Sequence, residues 1–143
     1  MPYCRIICQE NKGLSIARNV GAQAATGEIV AYTDSDCVAD PDWLDYLVAT
    51  METKGLAACG GPNFSPTETH LVPEAVAAAP GAPCHVLLDD EIAEHIAGCN
   101  MAFRRDALLA IGGFDPIFHA AGDDVDFCWR LQDAGYVIGY SAA

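Results

Sequence analysis

The segment Gly27-Glu28-Ile29-Val30-Ala31-Tyr32-Thr33-Asp34-Ser35-Asp36 decides how this chain reads. Ile29 to Tyr32 form a short apolar run rich in β-formers, with a glycine before it and two carboxylates after it. Short apolar runs bounded by turn signals read as buried strands of a parallel sheet. In open α/β sheets, ligands bind in the crevice beyond the carboxyl ends of the strands. Asp34 and Asp36 are therefore expected at one crevice, and two carboxylates one residue apart suit a hard divalent cation carrying phosphate oxygens. The plainer alternative is a solvated, Asp-rich turn.

Upstream, Arg5 to Cys8 is a strand candidate and Glu10-Asn11-Lys12-Gly13 a turn. Leu14 to Ala25 reads as a helix with Leu14, Ala17, Val20, Gly21 and Ala24 on its inward face, ended by Gly27 just past its C-terminus. Strand, helix and the strand at Ile29 would make a β-α-β unit with parallel strands. Arg18 and Asn19 fall near the middle of that helix, on the connection leading to Asp34.

Downstream, Asp40-Pro41 signals a helix start, and Trp43, Leu44, Leu47, Val48 and Met51 carry the helical period up to Gly55. Leu56 to Cys59 is a strand candidate. Residues 62–97 are punctuated by prolines at 62, 66, 73, 80 and 83, and are expected to be irregular with one or two short helices. A long excursion of this kind inside a domain is commonly functional. His95 closes it, as a packed or substrate-facing histidine. Cys99 to Phe103 then reads as a strand, Arg104 to Ile111 as a helix and Gly112 to Pro116 as a tight turn. A helix opens at Gly122-Asp123-Asp124-Val125-Asp126 and ends at Gly135, before a last strand within Tyr136 to Tyr140. Three aspartates in one helical turn exceed what capping and the helix dipole require, so a carboxylate there is a candidate to take a proton from an attacking hydroxyl.

At 143 residues, 52% hydrophobic and 19% charged, the chain has the composition of one globular domain. A formal charge of −13 disfavours nucleic acid and anionic membranes as partners. An anionic substrate would have to be met locally, by a metal, a helix N-terminus or one of the few arginines. No apolar run reaches the roughly 18 residues that span a bilayer, and the start has no signal-peptide pattern. A cytoplasmic location is the default expectation. The seven cysteines form no Cys-x-x-Cys pair and lie mostly in apolar runs, which reads as small buried hydrophobes in a reducing compartment.

Several blocks carry a family resemblance. Asn11-Lys12-Gly13-Leu14-Ser15-Ile16-Ala17-Arg18-Asn19, the Gly27–Asp36 segment, Gly98-Cys99-Asn100-Met101-Ala102-Phe103-Arg104-Arg105, Gly112-Gly113-Phe114-Asp115 and Gly122-Asp123-Asp124-Val125-Asp126-Phe127-Cys128-Trp129-Arg130-Leu131 resemble family 2 glycosyltransferases in order and spacing. The resemblance implies a GT-A (Rossmann-like) α/β fold, a mostly parallel sheet flanked by helices, with residues 62–97 as its variable, irregular insertion. It also implies inverting, metal-dependent transfer of a sugar from a nucleotide-sugar donor to an acceptor hydroxyl, in cell-surface polysaccharide or glycoconjugate synthesis. By position, Asp34 would face the nucleotide ribose and, with Asp36, hold Mg2+ or Mn2+ against the diphosphate, with Arg18 nearby. Asp124 would be the general base, and Asp123 stands where many relatives have Glu, so the pair shares the catalytic assignment. The acceptor would be a saccharide or a lipid-linked one, and the parent protein would work at the inner face of the membrane.

Relatives also begin with a strand, helix and second strand ahead of the block at Asn11, and continue past Tyr140. The chain therefore reads as a fragment with an open sheet edge, an incomplete base pocket, weak turnover and a tendency to form a homodimer through that edge. Two other readings stay open. One is a binding or remnant module without catalysis. The other is a haloacid dehalogenase-type phosphohydrolase, with Asp34 as nucleophile, Asp36 as acid and Asp123-Asp124 as metal pair.

Overall fold

A computed structural model describes residues 4–64, 75 and 85–142. The described elements run α1 (Leu14–Ala24), β1 (Ile29–Tyr32), α2 (Trp43–Lys54), β2 (Ala58–Gly60), β3 (Val86–Leu87), β4 (Ala93–His95), β5 (Met101–Arg104), α3 (Arg105–Ala110), α4 (Asp123–Asp133) and β6 (Ile138–Tyr140). Four strands form the central sheet in the order β1-β5-β2-β6. β5 lies antiparallel to both β1 and β2, while β2 and β6 pair in parallel. Three of the four strands thus share one direction, yet two of the three ladders are antiparallel because the reversed β5 lies between β1 and β2, so the sheet is mixed. β3 and β4 make a hairpin whose turn is held by the Asp89 carboxylate, which accepts from the N–H groups of Glu91 and Ile92 at 2.8 and 2.7 Å.

The sheet divides the apolar residues by strand alternation, because successive side chains point to opposite faces. Cys59 and Ala102 face α2, where Leu47 and Met51 cover them with help from Trp43, Ile29 and Ala31. Ala58, Met101, Phe103 and Ile138 face the other layer, packed by Ala22, Leu108, Phe127 and Leu131 from α1, α3 and α4, with Phe114 beside them. Phe103 meets Phe127 edge to face at 4.8 Å, and Phe114 stacks on Phe127 at 4.6 Å. Each buried ring contributes about 1.5–3 kcal/mol of hydrophobic stabilisation.

Several sequence expectations need correction. Arg5–Cys8 is not a strand: the segment is exposed, Ile6 is 82% accessible, and β1 takes its only described partner from β5. The β-α-β unit that needed that strand is therefore absent among the described residues. α1 turns Ser15, Arg18 and Ala22 inward, while Ala17 and Gly21 are exposed. Apolarity misled there because polar residues occupy the inward face. The helix ends at Ala25 in an extended conformation, so Gly27 supplies no left-handed cap. Gly55 does, at φ 64°. α2 starts at Trp43, and the Asp40 carboxylate accepts from the Asp42 N–H at 2.9 Å in the preceding turn. The described end of the 62–97 region is the β3–β4 hairpin; the one or two short helices expected in that region fall largely on residues 65–74 and 76–84, which lie outside the described set.

Candidate functional site

The site grows from Arg18. Its guanidinium is 7% exposed and pairs with Asp123, itself almost fully buried, at 2.5 Å. The second terminal nitrogen donates to the Gly98 carbonyl at 3.2 Å and lies 3.8 Å from an Asp34 oxygen. One side chain from α1 thereby draws together the turn after β1, the loop before β5 and the start of α4. An uncompensated buried charge costs several kcal/mol, so these three segments are coupled through the ion pair. Gly98 has no room for a side chain, because a Cβ there would run into the Arg18 guanidinium.

The acidic turn of α4 sorts into three roles. Asp123 is buried on Arg18. Asp126 turns away to Arg130, four residues on, at 2.8 Å; that arginine also donates to the Gly113 carbonyl at 2.8 Å. Asp124 is half-buried, and its Oδ2 accepts from the Gly98 N–H at 2.8 Å while Oδ1 accepts from the Val125 N–H at 3.0 Å. No aspartate side chain caps the helix, whose N-terminal position is Gly122 in a left-handed conformation. Asp124 is thus aimed by backbone groups and, among the described residues, has no cationic partner.

Across the loop, the Asp34 side chain is 48% exposed and Asp36 is exposed, both just past the carboxyl end of β1. Among the described residues, no three His, Cys, Asp or Glu side chains gather as a metal cage. Asn100, two residues past Gly98, accepts from the Trp43 indole N–H at 2.7 Å and donates to the Pro62 carbonyl at 3.0 Å. It ties α2 and the end of β2 to the same rim. Asn19 clamps the Gly113-Phe114 turn reciprocally, donating to the Phe114 carbonyl at 2.7 Å and accepting from its N–H at 2.8 Å.

Sequence reading singled out Arg18, Asp34, Asp36, Asp123 and Asp124, and the structure gathers Arg18, Asp34, Asp123 and the Gly98-held Asp124 in one region. Asp36 makes no hydrogen bond or ion pair with them among the described residues and is exposed. Asn19, Trp43 and Asn100 were passed over as organisers. Their residue types gave the only signal: a mid-helix asparagine and an indole N–H both need partners when buried. His95 has its Nδ1 buried and without a hydrogen bond among the described residues, 3.5 Å from the Glu94 carboxylate. Of the six described cysteines, Cys59, Cys99 and Cys128 are buried as expected, while Cys4, Cys8 and Cys37 are exposed, and all six are free. Burial pushes the Cys128 thiol up to about 12 and the Cys59 thiol up to about 11. Burial also raises the Tyr32 phenol, against the opposing charge of Arg18, whose backbone carbonyl accepts from the Tyr32 hydroxyl at 3.2 Å.

A mixed sheet between helices, with two acidic turns joined by one arginine at one end of the sheet, defines an α/β protein whose polar side chains gather at that end. The family model for glycosyl transferase family 2 matches residues 2–112, and the chain belongs to that family. It is 36% identical over 121 residues to the glucosyl-dolichyl phosphate glucuronosyltransferase of Haloferax volcanii, covering 80% of this chain and 38% of that protein. Two solved structures share the fold. GalNAc-T7 with UDP, GalNAc and Mn2+ superposes at a TM-score of 0.64 and 17% identity, over 91% of this chain and 29% of that one. The mannosyltransferase PcManGT of Pyrobaculum calidifontis with GDP-Man and Mn2+ gives 0.63 and 23%, over 93% and 37%. The fold is that of GT-A glycosyltransferases, and the chain spans well under half the length of each of these proteins.

Proposed function

We infer that this chain carries the acidic half of a catalytic site that transfers a sugar from a nucleotide-sugar donor to an acceptor hydroxyl with inversion, in glycan synthesis. The observation that carries the reading is Arg18, which joins Asp123 to the neighbourhood of Asp34 and Gly98 and leaves Asp124 as the carboxylate of the group with no ion pair among the described residues. Asp34 and Asp36 fit Mg2+ or Mn2+ as a two-carboxylate donor set, because such ions take one or two carboxylates and complete their shell with substrate phosphates and water. When bound, the ion would neutralise the leaving diphosphate.

The remaining chemistry falls to the chain's own groups. Asp124 would take the proton of the acceptor hydroxyl as its oxygen bonds to the anomeric carbon and the bond to the diphosphate breaks on the opposite face. Gly98 and Val125 N–H groups hold that carboxylate in place. Asp123 keeps Arg18 fixed, and Arg18 holds the Gly98 loop to the Asp34 turn. Its guanidinium is occupied by those partners, which makes it an organiser of the crevice before it is a phosphate contact. The saccharide or lipid-linked acceptor, and work at the inner membrane face, belong to the same proposal for the parent protein.

The test is calorimetric titration of UDP, GDP and dTDP into the chain with Mn2+, beside Asp36→Ala. Metal-dependent binding that disappears in the variant supports the assignment. A folded chain that binds no nucleotide would sink it for this chain and leave the non-catalytic reading in its place.

A further inference from the structure

We propose that Arg18 is a built-in counter-ion of the acidic turn after β1, occupying Asp34 and weakening the turn's hold on a divalent cation that arrives alone. The guanidinium is fixed on three sides. Asp123 takes one terminal nitrogen, the Gly98 carbonyl accepts from the other at 3.2 Å, and the Phe114 ring centroid lies 5.5 Å away. At 7% exposure the charge has no route into solvent. Its remaining neighbour is Asp34, 3.8 Å away and half exposed. Lys12, Lys54, Arg104 and Arg130 pair elsewhere, with Glu10, Glu91, Glu52 and Asp126. Among the described residues, Arg18 is therefore the only Lys or Arg that pairs with a carboxylate of the Asp34–Asp36 turn.

The consequence is electrostatic, and it rests on the proposed reading of Asp34 and Asp36 as cation ligands. A divalent cation on Asp34 would lie close to a positive charge that cannot move away. Like charges in a partly buried site repel with little screening. The cation must also take the carboxylate from Arg18, and both effects lower its affinity when it comes by itself. A diphosphate brings negative charge that offsets the cation and Arg18 together. Cation and anion then bind with positive coupling, and linkage makes that coupling the same whichever arrives first. Direct contact between the ion and phosphate would couple them as well, so the decisive comparison uses the cation alone.

That comparison is a titration of Mn2+ without nucleotide, followed by the electron paramagnetic resonance signal of the free ion. Arg18→Gln with Asp123→Asn removes the fixed charge and its partner together, so the net charge stays at −13 and the pair leaves no buried ion behind. The double variant should bind Mn2+ about fivefold more tightly than the unsubstituted chain, the scale of one half-exposed ion pair. Adding Asp34→Asn should erase the difference, because the contested carboxylate is then gone. Equal affinity in the two chains, or a difference that survives Asp34→Asn, overturns the proposal. If circular dichroism shows the polar double variant unfolded, Arg18→Met with Asp123→Leu fills the space with apolar side chains and takes the same test. Repeating the titration with UDP, GDP and dTDP separates the site reading. A nucleotide that tightens Mn2+ binding less in the double variant than in the unsubstituted chain supports the coupling, and equal tightening overturns it. Absence of nucleotide binding in every chain counts against the nucleotide-sugar reading, while Mn2+ alone still decides the role of Arg18. Absence of Mn2+ binding in every chain overturns both.

Discussion

Asp123 and Asp124 are neighbours in sequence with opposite fates, and single substitutions should separate them. Asp123 is 1% exposed on Arg18, and removing one partner of a buried pair costs about 3–5 kcal/mol. Asp123→Ala should therefore lower the urea midpoint sharply, with activity lost in step with folding. Asp124→Asn removes no ion pair among the described residues but keeps only one of the two acceptor oxygens that serve the Gly98 and Val125 N–H groups, so stability should fall by about 1–3 kcal/mol while, on the proposed function, transfer falls by about 10² to 10⁴-fold at temperatures where the chain stays folded. Single-turnover rates beside urea melts distinguish the two; equal rate losses at equal stability would remove the distinction. Cys128 gives a pH-dependent prediction. Its thiol has an ordinary value of 9.0 and sits near 12 in the fold, because burial penalises the thiolate. The stability it contributes is complete below pH 9 and is lost as pH rises toward 12, since the unfolded chain releases that proton first. Melting temperature should fall above pH 9, and Cys128→Ala should make that fall shallower by about one proton.

Among the elements, the turn after α3 is held at both ends by side chains distant in sequence. Gly113 adopts φ 74°, and a Cβ there would collide with the Asn19 carboxamide that clamps Phe114. Gly113→Ala should cost about 1–3 kcal/mol from backbone conformation alone, more with the collision. Adding Asn19→Ala should recover the collision and leave the backbone cost, a double-mutant cycle read by chemical denaturation. Non-additivity near zero would mean that the clamp and the glycine act independently. This turn also marks the limit of sequence reading. Gly112-Gly113-Phe114 was legible as a turn, and Trp43, Leu47 and Met51 as a helix, because glycine punctuation and the 3.6-residue period are local signals. The strand at Arg5–Cys8 and the face of α1 were misread because both depend on partners. Ile6 and Ile7 suit a strand but have no described neighbour to ladder with, and Ser15 and Arg18 turn inward because Phe118 and Asp123 lie there to receive them. The candidate acids were legible as types and spacing. Their division of labour was not, since it is set by one arginine 105 residues from Asp123.

For the whole molecule, the two edges of the sheet differ. β6 is covered: Ile92 bridges to Gly139, and the Tyr140 N–H donates to the Glu91 carbonyl at 2.8 Å. β1 pairs only with β5 among the described strands, which leaves a ladder edge of four residues, Ile29–Tyr32. An unpaired edge is a template for another strand, and a second copy supplies the same edge in antiparallel register. Against that stands a net charge of −13 on each copy. Repulsion between exposed charges is screened over about 10 Å at 0.1 M salt, so the balance between edge pairing and repulsion should move with ionic strength. Light scattering behind size exclusion should then find monomer at low salt and a concentration-dependent dimer at high salt. A dimer that weakens as salt rises would instead point to ion pairs across the interface, and a monomer at every salt concentration would mean that the edge of β1 is not a self-association surface.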